Sequence, residues 1–186
     1  MNSLLNYDIE LLRWIQSSKI DFLDSFFYWI SYSTTHVAIA LVLLVSALFF
    51  FYKKCDIEKI NYIKFNIIFF ASIITGSILK YIFSRPRPFV TYPDILQMYE
   101  STTSSFPSGH SITAFSLAIG IMFLQPKRIY VVIAFCWAVT IAYSRMILGS
   151  HYPSDVITSI AIVFLYSIIL HYLSEQAKVK TKGISN

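Results

Sequence analysis

The sequence predicts an all-α protein, a multi-span transmembrane helical bundle of about five spans preceded by N-terminal interfacial helices. Three observations carry that prediction. Of 186 residues, 56% are hydrophobic and only 13% are charged, about half the charged share of soluble globular domains. Mean hydropathy is +0.60, so a water-soluble domain of this size would lack the polar residues to cover its surface. The apolar residues also fall in runs near the roughly 20 residues that a helix needs to cross the bilayer core. Barrel strands would instead alternate apolar and polar over about ten residues.

Residues 1–34 come first and do not read as a span. In LLNYDIELLRWIQ, Leu5, Ile9 and Leu12 share one helical face, with Leu4, Leu11 and Ile15 beside it. Asp8, Glu10 and Arg13 break any spanning pattern, which fits an amphipathic helix lying in the interface. DFLDSFFYWISYS is aromatic but short before the polar STTH, and reads as a second interfacial or half-buried helix. A bent sixth span over this region is the competing reading.

Five apolar stretches follow, at 35–52, 62–83, 108–124, 129–148 and 153–173. Their connectors set an orientation. KKCDIEK (53–59) with Lys64, PKR (126–128) and AKVKTK (177–182) hold nine of the fifteen Lys and Arg residues. The positive-inside tendency places these in the cytoplasm, and the segment 84–107 and the turn at 149–152 on the outer side. Residues 1–176 form one domain, and 177–186 a basic, disordered cytoplasmic tail. Cys55 and Cys136 show no pairing or metal-ligand spacing and read as free thiols. The N-terminus lacks a basic region followed by a continuous apolar core, so no cleaved signal peptide is expected.

The remaining cations are Arg13, Lys19, Lys80, Arg85, Arg87 and Arg145. The last four fall at the outer ends of spans, against the charge bias, and an anionic ligand is the physical candidate for holding them there. Three stretches share that edge. In KYIFSRPRP (80–88), Pro86 and Pro88 stop a helix and extend the chain. Lys80 then points from the last turns and Arg87 follows the break, although snorkelling to the interface also accounts for such cations. Arg85 reads as a snorkelling side chain.

In SFPSGHS (105–111), Pro107, Ser108 and Gly109 suit a turn into the third span. The free N–H groups and dipole of that helix start suit an anion, Ser108 adds a hydroxyl, and His110 occupies the first turn. An N-cap serine with an interfacial histidine is the plainer account. In SRMILGSHYPSD (144–155), Arg145 nears the end of the fourth span and Gly149 makes a turn before His151. Pro153 fits the first position of the next helix. Asp155, four residues beyond His151, is placed to hold one ring nitrogen and leave the other free to attack. A helix cap favoured by the dipole is again the alternative for Asp155. Each plain account works singly, but together they do not explain why cations, a serine, two histidines and an aspartate gather on one side. The set matches a recipe for phosphate: cations and amides, an oriented nucleophile and an acid.

These stretches resemble the type 2 phosphatidic acid phosphatase superfamily, whose motifs are K-x6-RP, PSGH and SR-x5-H-x3-D. Here they read Lys80 to Arg87 and Pro88, PSGH at 107–110, and Ser144–Arg145 to His151 and Asp155. All spacings match in order across roughly 75 residues, which is a highly specific signal. The resemblance implies a helical bundle with its site at the outer membrane–water boundary. By the same resemblance His151 attacks phosphorus, Asp155 orients that ring, and His110 protonates the leaving oxygen and then assists water. Lys80, Arg87, Ser108, Gly109 and Arg145 match phosphate-binding positions. No metal and no cofactor are implied.

Two departures stand out. Many relatives carry a further N-terminal span, and Ser150 stands where bacterial relatives often have a small apolar residue. The expected activity is hydrolysis of a phosphomonoester or diphosphate of a membrane lipid: undecaprenyl diphosphate, phosphatidylglycerophosphate, phosphatidic acid or a lipid A phosphate. The expected location is the plasma (inner) membrane, with the site facing the periplasm or exterior and no nucleic-acid partner. The loop 89–106 is the expected specificity element. Phosphotransfer to an alcohol is the alternative enzymatic reading, and a catalytically silent lipid-binding protein is the non-enzymatic one. Haloperoxidases share the site architecture but are soluble.

Overall fold

The computed structural model describes the backbone of residues 2–51 and 57–184, and the side chains of 6–51 and 57–177. Among the described residues seven helices make up the fold: α1 (Asn2–Ser17), α2 (Asp24–Phe51), α3 (Lys59–Phe83), the single turn α4 (Pro88–Thr91), α5 (Gly109–Phe123), α6 (Arg128–Ile147) and α7 (Pro153–Ile184). A 3-10 turn, Asp21–Leu23, leads into α2. No strand occurs among the described residues.

Among the described residues four segments are long and apolar enough to cross a membrane: Asp21–Phe51, Lys59–Thr91, Arg128–Ile147 and Pro153–Ala177. The third apolar stretch becomes α5, whose 15 residues extend only about 22 Å at 1.5 Å per residue. Helix α5 is the axis of the bundle and packs against α2, α3, α6 and α7. Residues Ser111, Ile112 and Ala114 through Gly120 are buried around its whole circumference. Its sequence is apolar because protein surrounds it, and hydropathy does not distinguish that from a lipid-facing span.

Small residues let the neighbours close in. A Cβ on Gly120 would meet the ring of Phe65 at 2.7 Å, and Phe65 is itself fully buried on α3. The outward faces of the long helices carry exposed Leu43, Phe50, Ile74, Ile78, Ile133, Val139, Leu165 and Ile168. That pattern suits a hydrocarbon solvent and would be a liability in water.

The structure revises three expectations. The aromatic segment at 21–33 is not a separate interfacial helix. It is continuous with the first span, and the 28 residues of α2 extend about 42 Å. The Ser/Thr cluster does not break the helix, because Ser33 Oγ and Thr34 Oγ1 donate back to the Ile30 carbonyl, the usual accommodation of these side chains.

Helix α1 is the one N-terminal helix outside the spans. It packs on α6 and α7, with Ile9, Leu12 and Ile15 buried and Leu11 exposed. The side chains of Leu4 and Leu5 lie outside the described residues. Finally, helical backbone continues through Ile184 where a disordered tail was expected. Cys136 is a free, exposed thiol, while Cys55 and most of its connector lie outside the described residues.

Candidate active site

One end of the bundle brings together the C-termini of α3 and α6, the N-termini of α5 and α7, and α1. Each expected site residue lies within a few positions of one of these ends. Ser84 closes α3 in a left-handed conformation (φ 41) with its N–H bonded to the Lys80 carbonyl. Pro86 and Pro88 then carry the chain into α4, with Arg87 as its N-cap.

Lys80 Nζ donates to the Ser104 carbonyl at 2.6 Å. The Arg87 guanidinium is buried and reaches three backbone carbonyls and a hydroxyl. Its Nε donates to Thr103 O (2.8 Å), Nη1 to Ser150 O (2.8 Å), and Nη2 to Thr103 Oγ1 (3.2 Å) and more weakly Ser104 O (3.5 Å). Carbonyls of the loop before α5 therefore hold Lys80 and Arg87 of the first stretch.

Ser108 caps α5, its hydroxyl accepting the Ser111 N–H at 3.4 Å. The preceding Phe106–Pro107 bond is cis. Gly109 opens α5 facing free space, since a Cβ there would meet nothing within 4 Å. Lys80, Gly109 and His110 border a cavity of about 240 Å³ that Thr35, Gly76 and Ser77 also line.

Arg145 is 1% exposed. Its Nη1 donates to Ser31 Oγ on α2 at 2.5 Å, and its guanidinium carbon lies 4.3 Å from the centre of the Tyr99 ring. Its Nε is buried and has no hydrogen-bond partner among the described residues. Tyr99 also meets His110 edge to face, with centroids 5.9 Å apart. This tyrosine from the covering loop thus stands between Arg145 and His110. A second cavity, of about 600 Å³, lies against Tyr28, Tyr32, Gln97, Met98, Tyr99 and Glu100.

After α6 the chain turns at Gly149, whose φ of +68 favours glycine. The His151 N–H returns to the Arg145 carbonyl at 3.2 Å. The His151 ring is buried, with Nδ1 2.7 Å from the Ser105 carbonyl and Nε2 3.4 Å from Arg87 Nη1. A carbonyl can only accept, so Nδ1 carries the proton and Nε2 holds the lone pair. Burial pushes this ring down to about 3, with Arg145 and Arg87 adding to the effect and Asp155 opposing it. His151 is therefore neutral near pH 7.

Asp155 was expected to hold the ring nitrogen directly. Its Oδ2 lies 3.7 Å from His151 Nδ1, beyond a hydrogen bond, and the Ser105 carbonyl occupies that place. The carboxylate is instead one position removed. Oδ2 accepts from the Ser105 hydroxyl and from the Tyr152 N–H at 3.0 Å, so Asp155 and His151 both hold Ser105. Its Oδ1 accepts from Arg85 Nη1 at 2.7 Å.

Arg85, expected to snorkel, turns inward. It pairs with Asp155 and with Asp8 of α1, and packs over the Tyr152 ring at 3.7 Å. Ser31, Tyr99, Ser105 and Asp8 were not singled out as site residues from the sequence. The signals were Asp8 interrupting an apolar face and, for Tyr99 and Ser105, their place in the loop 89–106 expected to set specificity.

Helices of membrane length that converge four cations, two histidines and an aspartate on one end mark a multi-pass membrane protein. The model of the PAP2 superfamily matches residues 61–178, well over half of the chain, and the chain belongs to this superfamily. An undecaprenyl-diphosphatase of Sulfolobus acidocaldarius is 30% identical over 155 residues, 82% of this chain and 71% of that protein. A lipid A 4'-phosphatase of Porphyromonas gingivalis is 26% identical over 183 residues, 92% of this chain and 76% of that protein. The crystal structure of Aquifex aeolicus LpxE superposes with a TM-score of 0.75 at 27% identity, covering 89% of this chain and 95% of that one.

Proposed function

We propose that this protein is a membrane lipid phosphatase that hydrolyses a phosphomonoester or diphosphate through a phosphohistidine on His151. The carrying observation is the His151 ring: buried, neutral, its Nδ1 fixed on the Ser105 carbonyl and its Nε2 turned to Arg87. A histidine so held keeps the Nε2 lone pair for phosphorus, with only a long 3.4 Å contact from Arg87 to displace. Membership of the superfamily and the family-matched spacings support the same reading.

The phosphate binds where Arg87, Arg145, Lys80, the Ser108 hydroxyl and the first N–H groups of α5 converge. The unpartnered Nε of Arg145 gains an acceptor there, and helix-end amides suit the anion. The lone pair of Nε2 attacks phosphorus, the bond to the leaving oxygen breaks, and that oxygen takes a proton from His110. Water then attacks the phosphohistidine and gives a proton to His110. The P–N bond breaks, and inorganic phosphate leaves. The cations neutralise charge as it spreads over the equatorial oxygens, the term that usually dominates such catalysis.

The apolar outer faces keep the lipid tail in the bilayer while its phosphate reaches the helix ends. On this reading the protein sits in the plasma membrane with this end toward the periplasm or exterior, and the charge bias of the connectors supports that orientation, with the connector between α5 and α6 on the cytoplasmic side. The substrates that the names of the two relatives carry, undecaprenyl diphosphate and lipid A, are the first candidates. The test is phosphate release by the purified protein from a detergent panel of those two lipids, phosphatidylglycerophosphate and phosphatidic acid. Release from at least one, absent in His151→Ala, is expected. Release from soluble esters alone would refute the lipid reading.

A further inference from the structure

We propose that Asp8, acting through Arg85, is a positioning residue for Asp155 and so for His151, which brings the N-terminal helix into the reaction. The inference rests on His151 being the nucleophile.

Asp155 is fully buried, and an ionised carboxylate there needs partners. Arg85 supplies one charge-assisted bond to Oδ1, and the other end of its fork, Nη2, donates to Asp8 Oδ2 at 2.8 Å. Asp8 in turn is seated by Ser154, whose N–H donates to Oδ1 at 2.9 Å and whose hydroxyl donates to Oδ2 at 2.5 Å. Ser154 is the chain neighbour of Asp155, and its oxygen also accepts from Arg85 Nη1 at 2.8 Å. Arg85, Asp8 and Ser154 form a closed ring of hydrogen bonds, and Asp155 joins it through Arg85 Nη1, so the guanidinium is fixed from both sides.

Docking alone does not account for Asp8. The buried side chains Ile9, Leu12 and Ile15 already seat α1, and Gln16 bonds Leu96 and Ile147. A carboxylate on that buried face, with 8% of its side chain exposed, adds desolvation cost without improving apolar packing.

Charge supplies the reason. Arg85 paired with Asp155 alone would cancel the carboxylate's charge. With Asp8 added, two carboxylates share one guanidinium and the group keeps a net negative charge. When Nε2 bonds to phosphorus the His151 ring becomes cationic. The remaining negative charge, delivered through Asp155 and Ser105, stabilises that ring. Asp8 thus favours phosphoenzyme formation without touching substrate.

The test uses the full-length purified protein, with dioctanoyl phosphatidic acid as substrate and orthovanadate as probe. Vanadate becomes five-coordinate on a histidine nitrogen, so its binding reads the orientation of His151. Asp8→Asn keeps shape and removes charge. It is expected to lower kcat about tenfold with KM within threefold, and to weaken vanadate protection against thermal unfolding about tenfold. Arg13→Ala, which removes the exposed pair between α1 and Asp94, is expected to leave all three within twofold.

Ser154→Ala is the second variant. It preserves both charges and opens the ring, with an expected kcat loss of about threefold. Wild-type kcat and vanadate binding in Asp8→Asn overturn the proposal, as does an equal loss in Arg13→Ala, which would make α1 a merely structural clamp. If Asp8→Asn does not accumulate, wild-type values in Ser154→Ala overturn it. His151→Ala separates the two levels: if it still turns over, the nucleophile reading fails. If it is inactive while Asp8→Asn is unaffected, only the role of Asp8 fails.

Discussion

Gly149→Ala should destabilise the protein severely, and its cost follows from the turn that delivers His151. At φ +68 an alanine pays about 1–2 kcal/mol for the left-handed conformation. Its Cβ would also run into the Leu96 carbonyl, with Gln16 Nε2 at 3.0 Å and Ile95 Cγ2 at 3.2 Å. That carbonyl cannot easily yield, because Gln16 holds it at 3.0 Å and Met98 N is bonded to Leu148 O at 3.2 Å. Displacing the loop gives up those two bonds, each about 0.5–1.5 kcal/mol.

The total is about 2–5 kcal/mol, against a typical stability of about 5–15 kcal/mol. At about 2–4 °C per kcal/mol for a chain of this size, the Tm in detergent should fall by about 4–20 °C, read by tryptophan fluorescence. Gly109→Ala is the contrast. Its Cβ meets no protein atom, so the Tm should stay within about 2 °C, while phosphate release falls because the new methyl group enters the phosphate space. A Gly149→Ala variant that melts with the wild type would refute the steric reasoning. Full activity in Gly109→Ala would refute the placement of phosphate at the start of α5.

His110→Ala should slow turnover by about 10²–10⁴-fold, typical of general-acid loss, and least for lipid diphosphates, whose leaving group is a weak base. Equal losses on good and poor leaving groups in steady-state assays would count against the acid role. Ser105→Ala removes a donor from the buried Asp155 carboxylate and should cost about 1–3 kcal/mol of stability, measurable by thermal unfolding. The His151 ring has a pKa lowered from 6.5 to about 3 by burial. The unfolded state therefore binds the proton more readily, and the stability this group contributes is fully present above pH 6.5 and lost as pH falls toward 3. His151→Gln should flatten that part of the pH–Tm curve, and an unchanged slope would exclude His151 as its source.

Much of the site was legible because its members lie close to helix ends. A helix start at Ser108 and Gly109, a proline break around Arg87, and a glycine turn before His151 are local signals. They place eight residues at one end of the bundle without knowledge of the packing. What was not legible depends on contacts far apart in sequence. Asp8 meets Ser154, 146 positions away, and Arg145 meets Ser31, 114 positions away, and no local spacing encodes either. Arg85 looked like a snorkelling cation because its two carboxylates arrive from other helices. The same limit explains the carboxylate at Asp155. Four-residue spacing brings it near His151, but the loop conformation at Ser105 decides which acceptor the ring meets.

The central claim is that phosphorus becomes bonded to His151. The most direct measurement is rapid quench of the purified protein with a ³²P-labelled lipid from the reactive class, in alkaline detergent to preserve phosphohistidine. Peptide mapping follows. The account predicts an acid-labile label on the peptide containing residue 151, formed and lost at rates compatible with turnover and absent in His151→Ala. Label on another residue, or undiminished turnover in His151→Ala, would contradict it.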